Sequence, residues 1–156
     1  MGVVEFYQTH TYQNPHESII KHHLDRLTLK GSVLDLSCGS GEVTLALQSN
    51  PVYGNDPYTY NQYKERTGKI ATRFTFEEIA CGSLTTMYDN IVCSFAMHLV
   101  QPSWLPSLAI KLSRLSPNLI IITPTKKPDI LPQWGWNLIE EYHWERITSR
   151  IYKAGY

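Results

Sequence analysis

The chain is poor in the residues that fix a metal. Its six histidines form no i, i+4 pair, and its three cysteines, Cys38, Cys81 and Cys93, form no Cys-x-x-Cys. Neither a structural nor a catalytic metal site is expected. Three cysteines in apolar or turn contexts read as reduced thiols, which suits a cytoplasmic chain better than a disulfide framework. Charge of one sign is also missing: 14 Lys and Arg balance 14 Asp and Glu. A formal net charge of zero removes the broad attraction to nucleic acid or an anionic membrane, leaving a local patch as the route to either. No apolar run is long enough to span a bilayer. The N-terminus lacks the basic start and apolar run of a secretory signal. Met1-Gly2 opens like a myristoylation site, but Phe6 stands where serine or threonine is needed. Internal repeats and low-complexity tracts are absent.

What remains is the composition of an ordinary globular protein. A chain of 156 residues, 42% of them hydrophobic, fits one domain, residues 1–156, around one core. Asn14-Pro15-His16-Glu17 is a helix start, with Asn14 as cap, Pro15 at the first helical position and Glu17 closing a capping box. Ile19, Ile20, Leu24 and Leu27 then recur at helical spacing. A first strand is predicted over 32–36, a helix over 42–48, a short strand over 52–55 and a helix over 58–67. A weak third strand over 71–74, a helical turn over 76–80 and a buried strand over 90–95 follow. An amphipathic helix carries Trp104, Leu105, Leu108, Leu112 and Leu115. A strand over 119–123, a proline-rich irregular stretch over 124–133 and two strands over 136–143 and 147–153 complete the chain. This alternation predicts an α/β fold with a doubly wound, mostly parallel sheet: five parallel strands and a C-terminal antiparallel hairpin.

The densest signal is Val33-Leu34-Asp35-Leu36-Ser37-Cys38-Gly39-Ser40-Gly41. It reads as a buried strand, a tight loop and a helix N-terminus. Glycine lets backbone N–H groups come close to a ligand. The acid at the strand end suits a cationic or hydroxyl-bearing ligand better than a phosphate. Thr44 stands where a dinucleotide fingerprint needs its third glycine, and no Gly-Lys-Ser/Thr follows for a P-loop. Asp56, 15 residues beyond Gly41, ends the second strand. Its spacing suits an acid that accepts hydrogen bonds from both ribose hydroxyls. Pro57 and Tyr58 follow it and can pack on an adenine edge. Lys126 and Lys127, near Trp134 and Trp136, read as a solvated pair beside aromatics that cover a sheet end.

The Asp35–Gly41 segment resembles motif I of class I S-adenosylmethionine-dependent methyltransferases, an acid-x-Gly-x-Gly-x-Gly loop. Asp35, Gly39 and Gly41 match it, and Ser37 stands where the family usually has glycine. The resemblance runs from about Tyr12 to Lys153 and is weakest in the C-terminal third. It implies a cofactor, S-adenosyl-L-methionine, with S-adenosyl-L-homocysteine as product, and a loop of Asp35, Ser37, Cys38, Gly39 and Gly41 around its methionine part. It further implies that Glu77, 12 residues before Asp89, accepts from the adenine amino group, with Phe76 as an apolar wall. By the same resemblance Ser94 and Phe95, in the Ser94-Phe95-Ala96-Met97-His98 loop, face the transferring methyl, and Tyr12 closes over the cofactor carboxylate.

His98 is the candidate general base of that loop, because an imidazole titrates near neutrality. The loop lacks the Asn/Asp-Pro-Pro-aromatic motif of amino methyltransferases. Methyl transfer asks mainly for alignment of acceptor and methyl, so a missing acid/base pair is compatible with it. The expected activity is therefore methyl transfer to an unidentified acceptor, small molecule or macromolecule, with no membrane partner and no strong nucleic-acid signal. A catalytically inactive binding or scaffold protein on the same fold is the alternative.

Overall fold

The computed structural model of the chain describes residues 16–155. Asn14, Pro15 and Tyr12 lie outside the described residues. The first described helix, α1, spans Glu17–Asp25, and His16 occupies its N-cap position. It leads to β1 (Val33–Leu36), α2 (Glu42–Ala46), β2 (Val52–Asn55), α3 (Tyr60–Thr67) and α4 (Phe76–Ala80). Then come β3 (Asn90–Ser94), a 3-10 turn (Met97–Leu99), α5 (Leu105–Leu115), β4 (Asn118–Thr123), a second 3-10 turn (Pro132–Trp134), β5 (Trp136–Trp144) and β6 (Ile147–Ala154).

These strands make one six-stranded sheet in the order β2-β1-β3-β4-β6-β5. The first four strands in that order are parallel. β6 inserts antiparallel between β4 and β5. β1, β3 and β4 are buried on both faces, so their side chains divide by the pleat. Leu34, Leu36, Ile91, Cys93, Leu119 and Ile121 pack in the core shared with α4 and α5. Val33, Val92, Ile120 and Ile122 turn the other way, toward Ile20 and Leu24 of α1 and Val43 of α2. Trp136, fully buried, ties the hairpin to the first core by donating its indole N–H to the Ala109 carbonyl at 2.8 Å. Lys127 sits in an exposed pair with Asp129, in keeping with the solvated reading of that segment.

The third strand expected over 71–74 is not a strand. It is reduced to a single parallel bridge, Asn55 to Thr72. The segment turns within three residues into the capping box of α4, where Thr75 and Glu78 bond each other's backbone N–H groups, so no ladder extends. The Asn55 side chain takes over instead. Its Oδ1 accepts from the Phe74 N–H at 2.9 Å and its Nδ2 donates to the Phe74 carbonyl at 3.0 Å. The sheet therefore has four parallel strands rather than five. A second difference lies at α3, which starts at Tyr60 because the Asp56 carboxylate captures the Tyr58 and Thr59 N–H groups ahead of it.

Candidate functional site

Parallel strands end together, and in open sheets of this kind ligands bind in the crevice outside their carboxyl ends, among the loops that leave them. Here the loops after β1, β2 and β3, with the segment from Phe74 to Glu77, enclose a cleft of about 330 Å³. Ser37, Gly39, Asp56, Pro57, Tyr58, Phe76, Glu77, Ser94 and Phe95 all line it, so the fold assembles nine of the expected residues.

The loop after β1 bends through left-handed backbone three times, at Ser37 (φ 60°), Gly39 (φ 56°) and Gly41 (φ 97°). Gly39 uses its missing side chain at the cleft wall. Gly41 does not reach the cleft; a Cβ there would strike the Thr67 methyl of α3, so its role is close packing. Across the cleft, Phe95 is also left-handed (φ 54°) and its ring stacks on His16 at 4.8 Å. A serine and a phenylalanine in this conformation each carry a backbone cost on the order of 1–2 kcal/mol, and both face the cleft.

Asp56 connects the loops. Its Oδ1 accepts from the Tyr58 N–H at 2.8 Å and the Thr59 N–H at 3.1 Å, while its Oδ2 accepts from the Gly39 N–H at 3.3 Å. One carboxylate thus fixes the turn after β2 and reaches the glycine loop.

Asp35 and Cys38 lie elsewhere. Alternation along β1 sends Asp35 toward α2, beneath the loop, where it is wholly buried. Its Oδ2 accepts from the Thr44 hydroxyl at 2.7 Å, and that hydroxyl lies 2.8 Å from the Tyr63 hydroxyl. Its Oδ1 has no partner among the described residues. Burial pushes the Asp35 carboxyl up to about 7, against the Thr44 bond that lowers it, with Glu42 and Asp56 adding negative charge nearby. Cys38 packs beside Tyr63 and Ala71, and burial pushes its thiol up, so it is an inert core thiol.

His98 is not brought to the cleft either. It sits in the 3-10 turn after β3, and Leu99 rather than His98 lines the opening. The His98 Nδ1 is buried without a partner among the described residues, and burial lowers its pKa. A short turn of three residues per repeat shows its successive side chains in three directions, and the apolar one faces the opening.

Five polar residues of the lining were not anticipated: Glu42, Asn55, Thr59, Thr75 and Gln101. Glu42 had a signal, since it opens α2 directly after Gly41. Asn55 had none, because its contact with Phe74 spans 19 residues. The lining holds three carboxylates, Glu42, Asp56 and Glu77, and no lysine, arginine or histidine among the described residues. Four aromatic rings, from Phe74, Phe76, Phe95 and Tyr58, supply apolar walls. The arrangement suits a planar group between rings carrying hydroxyls and positive charge. No group of His, Cys, Asp and Glu able to hold a metal occurs among the described residues. No helix among them is long and apolar enough to cross a membrane.

No family model matches the chain. A protein of Schizosaccharomyces pombe described as uncharacterized, C17A5.05c, is 29% identical over 174 aligned positions, covering 78% of this chain and 70% of its own. Among solved structures, magnesium protoporphyrin IX methyltransferase (ChlM) from Synechocystis PCC 6803 with bound SAM superposes with a TM-score of 0.61 at 19% identity, covering 99% of this chain and 85% of that one. The N-methyltransferase NodS from Bradyrhizobium japonicum superposes with a TM-score of 0.70 at 11% identity, covering 91% and 98%. At these identities the likeness shows the fold, which is that of class I S-adenosylmethionine-dependent methyltransferases.

Proposed function

We propose that the chain is an S-adenosylmethionine-dependent methyltransferase acting on an unidentified acceptor. The observation that carries this is Asp56: a carboxylate at the end of β2, inside a cleft at the strand termini, bonded to the glycine loop after β1. The residues present fit the cofactor. Asp56 takes the ribose hydroxyls, Glu77 the adenine amino group, and Phe74, Phe76 and Tyr58 wall the base. The stretch from Ser37 to Gly39 borders the methionine part, and Ser94 with Phe95 borders the methyl position. Bound there, S-adenosylmethionine supplies an electrophilic methyl on sulfonium sulfur. The chain's own contribution is alignment and exclusion of water, which can supply much of the rate for such a transfer. His98 is given no base role, since its ring does not line the cleft.

Titration calorimetry with S-adenosylhomocysteine tests the reading. The wild-type chain binds, and Asp56→Asn weakens binding more than tenfold, a loss of about 1.4 kcal/mol or more. Asparagine keeps an acceptor for the Tyr58 and Thr59 N–H groups, so the turn survives. Unchanged affinity removes Asp56 from the site and the reading with it. Transfer of a labelled methyl to a pool of candidate acceptors then separates an enzyme from an inactive binding protein.

A further inference from the structure

Glu42 is the carboxylate of the cleft that the reading above leaves without a task. It is 4% exposed yet lines the cavity. Burial of a carboxylate is costly unless something meets its charge. Its Oε1 accepts from the Ser40 hydroxyl at 2.7 Å. Ser40, itself fully buried, accepts from Arg66 Nη1 at 3.1 Å, and Arg66 Nη2 donates to Glu17 at 2.7 Å. The carboxylate is therefore held in place from behind by α3 and α1. Its Oε2 has no partner among the described residues and faces the bare side of Gly39, 3.2 Å from where a Cβ would stand. On the other side of Gly39, Asp56 Oδ2 accepts from that residue's N–H. The glycine is thus flanked by two carboxylates, with no cationic side chain in the lining among the described residues.

An oriented, half-satisfied carboxylate beside a glycine calls for a compact cationic donor in the space the glycine leaves. Within the cofactor reading, on which this rests, the methionine part offers one: its primary ammonium group, with three hydrogens to donate. We propose that Glu42 binds the cofactor's ammonium group, with Ser40 and Arg66 as the residues that position it.

The test compares three ligands by calorimetry on the full chain. S-adenosylhomocysteine carries the ammonium and the carboxylate. S-adenosyl-3-thiopropylamine keeps the ammonium alone. 5′-Methylthioadenosine has neither. Glu42→Gln keeps the shape and an acceptor for Ser40. It weakens the first two ligands at least tenfold and leaves the third within twofold of wild type. Ser40→Ala gives the same split at smaller size. Equal loss for all three ligands means that Glu42 only shapes the loop, and overturns the assignment while the cofactor reading stands. So does an unchanged affinity for S-adenosylhomocysteine, or insensitivity of the thiopropylamine. Wild-type protein that binds none of the three overturns both.

Discussion

Ser37 shows how much of the site is decided by one backbone angle. At φ 60° it occupies the region that glycine enters freely and other residues enter at a cost. Ser37→Gly therefore raises the thermal midpoint by a few degrees, the part of the strain that exceeds glycine's greater unfolded-state freedom. Ser37→Val lowers it by more, since a β-branched side chain tolerates this angle least. Scanning calorimetry of the two variants checks both signs; a valine variant as stable as wild type would refute the strain argument. The sequence revealed Ser37 as a departure from a glycine position, and the angle explains what the departure entails. Asp35 was harder to read. Its place in a motif marks it as important, but only the pleat of β1 tells that it faces Thr44 beneath the loop instead of the cleft.

At the scale of elements, Asn55 does the work of a missing strand. Its side chain makes two bonds to the Phe74 backbone and a third to the Thr72 hydroxyl, at 2.8 Å. Asn55→Ala leaves the half-buried Phe74 N–H and carbonyl without their side-chain partner and destabilises the protein by about 1 kcal/mol in urea unfolding. The same change weakens binding of S-adenosylhomocysteine, because Phe74 and Phe76 are carried on the segment it pins. A variant of wild-type stability and affinity would show the clamp to be idle. Most elements were legible from local pattern, since β1, β3, β4 and α5 have apolar periodicities strong enough to stand alone. The 71–74 segment was not, because the choice between ladder and clamp rests on one polar side chain contributed by β2. The residues lining the cleft were legible where a turn signal marked them, as at Asp56-Pro57, and hidden where the contact was distant in sequence.

Across the whole molecule, two buried groups set opposite responses to pH. The Asp35 carboxyl, pushed up to about 7 by burial, keeps a proton in the folded state that the unfolded chain releases near its ordinary 3.8. Its contribution to stability is complete below that value and is lost as the pH rises to about 7. His23, buried under the hairpin with Nδ1 at 2.9 Å from the Ser149 hydroxyl, has its pKa lowered from 6.5, chiefly by burial. The unfolded chain takes up that proton first, so its contribution is complete above 6.5 and declines on acidification. The two slopes oppose each other in weakly acidic solution. Asp35→Asn removes the decline toward neutral pH, and His23→Gln flattens the acid limb. Urea unfolding of both variants from pH 4 to 8 measures this; parallel curves for wild type and Asp35→Asn would contradict it. The carboxylate-lined cleft, without a cationic side chain among the described residues, has a bearing on the crowd outside. Within the proposed cofactor reading ATP shares the adenosine headpiece, but its phosphate tail meets repulsion from Glu42, Asp56 and Glu77, with no lysine, arginine or histidine in the lining among the described residues. The sign of that lining disfavours ATP relative to an adenosine ligand that carries positive charge.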